Sequence, residues 1–325
     1  MPADNLQQQL IKYLADAHSI EEQALQQVKK APKVSNAPGL SQAFEEHLAE
    51  TEKHERLTRE RLEALGASPS KFKDLVMRAG GEGFVWFARS QPDTTGKLAA
   101  HAYSYEALEL GSYEMLLRIA LRAGDHETAR IAREIRADEQ RMLDRIGGLF
   151  DETVETSLAE LSDADIEKHL VDYLTDAHAI ENQAKGLLTN GPKLTGDDVL
   201  AQLFAEHLKE TEEHERLVEQ RLEAHDASPS KLKDVAMKLG ALNWGGFFAA
   251  HPDTVGKLNA FAFAFEHLEI GGYEQLLRVA RRAGDTESAS AADRILTEER
   301  AAARKLAEQF DHTAEKSLEA QGITA

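Results

Sequence analysis

The chain has 325 residues, 42% of them apolar and 29% charged, which is enough apolar side chain for the cores of about two domains. A formal net charge of −19 argues against a nucleic-acid binder, which relies on Lys and Arg contacts to phosphate, and against adsorption to anionic lipid, while it raises the local concentration of cations. With no cysteine, disulfides, thiolate metal sites and thiol redox chemistry are excluded, and with neither a signal-peptide pattern nor an apolar run of about 20 residues the reading is a cytoplasmic protein that does not span a membrane.

In chain order, the pattern predicts a first helix over 4–30, stopping before Pro32, and a loop over 33–38. A second helix follows over 40–65 and is closed by Gly66, a common helix-ending residue. The stretch 67–95, with Pro69, Gly80, Gly81 and Pro92, is a long connection. A third helix covers 95–123 and ends at Gly124, and a fourth starts after Asp125, a good N-cap, and runs to about Glu155. Short loops make the 1–2 and 3–4 pairs antiparallel. A connection long enough to cross the bundle between helices 2 and 3 makes each module an all-α, ferritin-like four-helix bundle.

The plan then recurs. YLADAHSIEEQAL at Tyr13 returns as YLTDAHAIENQAK at Tyr173, FEEHLAETEKHERL at Phe44 as FAEHLKETEEHERL at Phe204, and YEALELGSYEML at Tyr105 as FEHLEIGGYEQL at Phe265. Every pair is offset by 160 positions, so no gap is needed. The period is far too long for a solenoid, and the chain reads as two tandem modules, 1–157 and 163–325.

The chemistry is carried by acidic residues and histidines on helix faces. Helix 1 has His18 and Glu21; helix 2 has His47, Glu50 and His54; helix 3 has Glu106, Glu109 and Tyr113; helix 4 has Asp138 and Glu139. Spacings of three, four and seven place such residues on one face of a helix. The second module matches them with His178, Glu181, His207, Glu210, His214, Glu266, Glu269, Tyr273, Glu298 and Glu299. Glu21 and Glu50 are 29 positions apart and Glu109 and Glu139 are 30 apart, so two hairpins can bring one Glu per helix to a common depth. A carboxylate layer in a bundle core is costly unless a cation neutralises it, which makes it the layout of a dimetal site suited to iron or manganese. Running helix 3 opposite to helix 2 puts Glu106 with His54 at one end of that layer and His47 with Tyr113 at the other. Recurrence alone selects nothing, because Glu46, Glu52, Glu55, Glu63 and Glu114 recur as well. Helix 4 is more telling, since its sequence has diverged yet Glu139 and Glu299 remain.

HLAET at His47, YEALELGSYEML at Tyr105, LADAHSIEEQAL at Leu14 and Glu139 in helix 4 resemble the YciE/YciF-like family of bacterial stress-induced, ferritin-like proteins. The resemblance covers most of each module. It implies a closed bundle, a dimetal centre and a link to osmotic or oxidative stress. It carries the family's acidic residues onto Glu21, Glu50, Glu106, Glu109 and Glu139 and its helix-2 His onto His47, while His54 stands where the family often has Gln. It also implies that the tandem chain is a covalent version of the family's dimer. The Glu-x-x-His pattern of ferritin and rubrerythrin is absent, because Lys53 follows Glu50 and Met142 follows Glu139, which leaves a second metal short of nitrogen ligands.

The expectation is therefore a di-iron carboxylate stress protein, with two irons per module, that oxidises Fe(II) or detoxifies peroxide, with metal ions and O2 or peroxide as its partners. Its modules form a pseudo-dimer, and further homo-oligomerisation is open. One alternative is a non-enzymatic helical protective protein. Another is a dimetal oxidase or oxygenase for an organic substrate, with Phe84, Trp86 and Phe87, mirrored by Trp244, Phe247 and Phe248, either lining a pocket or else capping the bundle or filling the interface between modules.

Overall fold

A computed structural model of the chain describes residues 2–69, 94–159, 161–230 and 253–323. These contain ten α-helices and no strand: α1 Pro2–Lys30, α2 Pro38–Ala64, α3 Thr94–Arg122, α4 His126–Gly147, α5 Phe150–Leu158, α6 Asp163–Thr195, α7 Asp198–Ala224, α8 Thr254–Ala283, α9 Thr286–Ala307 and α10 Phe310–Glu319. None of them is long and apolar enough to cross a membrane. The crossover aromatics, Phe84, Trp86, Phe87, Trp244, Phe247 and Phe248, lie outside the described residues.

Helix starts follow local chemistry. The Asp125 carboxylate accepts a hydrogen bond from Thr128 N, Asp197 from Leu200 N, Asp285 from Glu287 N and Ser288 N, and the Ser162 hydroxyl oxygen from Asp165 N. Each satisfies an amide that a first helical turn leaves without an intrahelical partner. Gly284 takes a left-handed conformation, φ 75°, to close α8, a backbone state that side chains resist.

The chain forms two compact units, residues 1–157 with 310–325, and residues 158–309. In the first, α1 packs on α2 and α3, and α4 packs on α2 and α3, which closes a ring of four helices. Arg145 meets Glu46, Lys53 meets Glu134 and Arg61 meets Asp125, so α2 and α4 are antiparallel. Leu40 and Phe44 share a core cluster with Leu98, Ala99 and Ala102, so α2 and α3 start at the same end. This is the up-down-down-up order of a ferritin-like bundle. The second unit repeats the ring with α6, α7, α8 and α9.

Three details differ from the sequence reading. The fourth helix does not continue to Glu155; it breaks after Gly147 and resumes at Phe150. The glycines do not cause the break, because it recurs between Ala307 and Phe310, where no glycine stands. Both copies share a Phe after the break that is almost wholly buried, and turning the chain there seats it in the core. The first helix of the second copy does not stop before its proline but runs through Pro192 to Thr195. Gly191 permits this, since a Cβ there would collide with the Phe204 ring. Finally, α10 belongs by sequence to the second repeat but to the first compact unit. There Arg118 stacks over the Phe310 ring at 5.8 Å, and Arg122 pairs with Asp311 at 3.1 Å.

Candidate metal centre

In the first unit, Glu21 from α1, His47 and His54 from α2, Glu106 and Glu109 from α3 and Glu139 from α4 are all buried in the ring's interior. The Glu139 carboxylate sits between the two histidines. Its Oε1 lies 2.8 Å from His54 Nδ1 and its Oε2 lies 3.4 Å from His47 Nε2. Glu139 thereby belongs to two groups, one with Glu21 and His54 and one with His47 and Glu106, in which one ligand atom per residue lies within 4.8 Å of the others. The second unit repeats this. Glu299 Oε1 is 2.8 Å from His214 Nδ1, its Oε2 is 3.2 Å from His207 Nε2, and His207, Glu266, Glu269 and Glu299 form one such group.

Glu109 and Glu269 are 1% exposed, and neither oxygen of either carboxylate has a hydrogen bond. Buried polar atoms are normally satisfied, and leaving a carboxylate without a partner is expensive. Burial pushes the carboxyls of Glu109, Glu106 and Glu269 well above the usual range. Burial likewise takes Glu21 up to about 8 against the lowering charge of His54, and Glu266 up to about 7 against that of His207. Glu139 behaves oppositely: burial would raise it, but hydrogen bonds from His47 and His54 hold it below the usual carboxylate range. Burial would lower the imidazoles, yet the facing carboxylates raise His47 to about 11, His54 to about 9 and His214 to about 11. Without a cation, the core thus retains protons to balance its own acids.

Glu50 is not part of the buried cluster. Its side chain is 41% exposed, and its Oε2 lies 2.9 Å from the outward His47 Nδ1; Glu210 repeats the contact to His207 at 2.8 Å. At about 100° per residue, His47 and His54 point within roughly 20° of each other, whereas Glu50 is turned about 60° from His47 toward the flank. The expected layer of one Glu per helix therefore becomes Glu from three helices and two imidazoles from the fourth. The expected ends also change: His47 lies with Glu106, at 3.6 Å, and His54 with Glu21, at 3.9 Å, on the side where Tyr113 bonds Glu21. The reason is topological. A connection that spans the bundle returns the chain to where α2 began, so α3 runs with α2 rather than against it.

His54 directs its outer Nε2 to Asp138 Oδ2 at 3.1 Å, and His214 directs its own to Glu298 Oε2 at 2.7 Å. These two carboxylates, like Glu50 and Glu210, fix the ring orientation of a histidine whose other nitrogen faces the cluster. Sequence reasoning noted Asp138 but gave it no role; the available signal was a carboxylate kept through an Asp-to-Glu change in a diverged helix. His18 stands apart from the centre, with its Nε2 3.3 Å from Glu55.

The fold and the site define a class: an all-helical protein of two four-helix bundles, each with a buried cluster of carboxylates and imidazoles able to hold metal ions. A family profile described as Domain of unknown function (DUF892) matches residues 5–159 and again 165–319. The chain belongs to that family, the YciF-like family, and carries it twice in tandem. No solved structure matches the chain.

Proposed function

We propose that each unit is a dinuclear metal centre and that the chain acts in a stress response by oxidising Fe(II) or removing peroxide. The observation that carries this reading is Glu139, whose two oxygens face different histidines and which belongs to two ligand groups, so that it would be shared by two ions. The unpaired Glu109 supports it, because a cation relieves the cost of burying that charge. Carboxylate and imidazole donors without sulfur suit iron or manganese.

In this reading Glu21 and His54 would hold one ion and His47 and Glu106 the other, Glu139 would be shared between them, and Glu109 would add its charge beside the pair. The same roles fall to Glu181, His214, His207, Glu266, Glu299 and Glu269 in the second unit. A bound pair of such ions supplies redox chemistry toward oxygen or peroxide. Glu50 and Asp138 keep the two imidazoles turned inward, and the apolar ring interior excludes bulk water. Tyr113 holds Glu21 in place through its hydroxyl.

Metal analysis of untagged protein, together with peroxide-dependent Fe(II) oxidation, tests the proposal. Wild type should carry metal in both units, and Glu139→Ala with Glu299→Ala should lose it. If that double variant retains as much iron or manganese as wild type, the ligand set is wrong.

A further inference from the structure

The histidines of both centres are held from outside by carboxylates, and those carboxylates meet different cations in the two units. In the first, one Arg141 nitrogen, Nη2, donates to Asp138 Oδ1 at 2.5 Å and to Glu50 Oε1 at 3.5 Å. Asp138 engages the outer nitrogen of His54 at 3.1 Å, and Glu50 that of His47 at 2.9 Å. A single guanidinium on α4 thus ties together the two groups that keep both imidazoles turned inward. Lys53 adds a second cation, 3.6 Å from Asp138 Oδ2.

The second unit keeps the carboxylates and loses the clamp. Glu210 and Glu298 engage His207 and His214 at 2.8 Å and 2.7 Å. Ala301 stands at the position of Arg141, and Glu213 at that of Lys53. Arg294 pairs with Glu298 at 3.2 Å. Among the described residues, however, Glu210 pairs with His207 and with no Arg or Lys, and Lys305 attracts it only from farther off. No cation in the second unit joins the two outer carboxylates as Arg141 does in the first, among the described residues.

We propose that Arg141 is a positioning residue that sets the two centres apart: acting through Glu50 and Asp138, it biases the first centre toward Fe(II) over Fe(III), and its absence leaves the second centre better suited to the oxidised ion. The inference rests on the dinuclear reading above. Two effects act in the same direction. A carboxylate bonded to the outer nitrogen of an imidazole makes the inner nitrogen a stronger ligand, and a guanidinium drawing on the same carboxylate weakens that support. A fixed positive charge beside the site also opposes added positive charge on the ion. The Arg141 side chain is 62% exposed, so solvent screens it and the effect is several-fold rather than orders of magnitude. The second centre is then the one where Fe(II) is more readily oxidised.

Full-length Glu299→Ala and Glu139→Ala chains isolate the first and the second centre. The midpoint potential of bound iron gives the ratio of Fe(III) to Fe(II) affinity in each. That ratio should be about three- to tenfold lower in the first centre. In the Glu299→Ala chain, Arg141→Gln should raise it about threefold, and the rise should shrink as ionic strength goes from about 0.02 to 0.5 M. Arg141→Lys keeps the charge and should stay near the parent. Equal ratios in the two centres, a ratio unmoved by Arg141→Gln, or one moved as far by Arg141→Lys overturns the proposal and, with iron bound, leaves the dinuclear reading standing. No iron in either chain sinks that reading and this inference with it.

Discussion

Tyr113 on α3 donates a hydrogen bond of 2.5 Å to Glu21 Oε1 on α1, and Tyr273 makes the same bond to Glu181 in the second unit. Both phenols are fully buried, and burial beside these carboxylates pushes their own pKa well above the usual value, so each remains a donor at any working pH. Tyr113→Phe should preserve the bundle but leave one Glu21 oxygen without its partner. Metal affinity of the first unit is expected to fall about 10- to 100-fold, as for other groups that orient a ligand. Titration with Fe(II) or Mn(II) measures it, and unchanged affinity would remove Tyr113 from the site.

Glu109→Gln separates stability from function. The change keeps the side chain's shape and, without metal, its neutral state, because burial favours the protonated Glu109 carboxyl; what it removes is the negative charge available to a cation. Metal-free Glu109→Gln should therefore match metal-free wild type at neutral pH to within about 1 kcal/mol. Its stabilisation by added metal should be smaller, because binding to the native state stabilises in proportion to affinity. Thermal melts with chelator and with metal give both numbers, and a variant that metal stabilises as much as it does wild type would remove Glu109 from the ligand set.

Glu50 and Glu139 should differ sharply although both are acidic residues of the site. Glu50 is half-exposed and touches the outer nitrogen of His47, whereas Glu139 is fully buried between the two histidines. Glu50→Ala should weaken the first unit's metal binding about tenfold. Glu139→Ala should abolish it. Equal losses in metal analysis would mean that Glu50 moves inward to become a ligand.

The metal-free protein should lose stability as pH rises above neutrality. His54 is held near 9, against an unperturbed 6.5, by Glu139 and Glu21 in spite of burial. Its stabilising contribution is complete below about 6.5 and fades as pH rises through 9. Glu21, raised to about 8 chiefly by burial, acts in the same direction from 4.5 upward, because the folded chain retains a proton that the unfolded chain releases. Metal displaces these protons, so the gap in Tm between metal-loaded and chelated protein should widen from pH 6 to pH 9. A chelated protein whose Tm rises over that range would refute the assignment.

Asp125 is a stability site away from the centre. It caps α4 at Thr128 N and pairs with Arg61 at the end of α2. Asp125→Ala should cost about 1–2 kcal/mol in denaturant unfolding with metal content unchanged. Burial would raise its carboxyl, but the Thr128 amide and Arg61 hold it below its ordinary value, so its contribution is present above about 3.8 and is lost as pH falls.

The tandem duplication, the helices and the acidic face of each helix are readable from the residues alone, because periodicity, caps and a gap-free offset are properties of the chain. That reading reaches Glu21, His47, His54, Glu106, Glu109 and Glu139 as candidates, since spacing states which residues share a face. It cannot state which side chains of a face point inward and which stand on its flank, a matter of a few tens of degrees that separates His47 and His54 from Glu50. Nor does it state that α3 runs with α2, which pairs His47 with Glu106 and His54 with Glu21; direction comes from where a long connection ends. The difference between Met142 and Ala302 is plain in the alignment of the repeats. That Ala302 lines a small pocket beside His207 and Glu266 follows only from packing, because a cavity is defined by every neighbour at once.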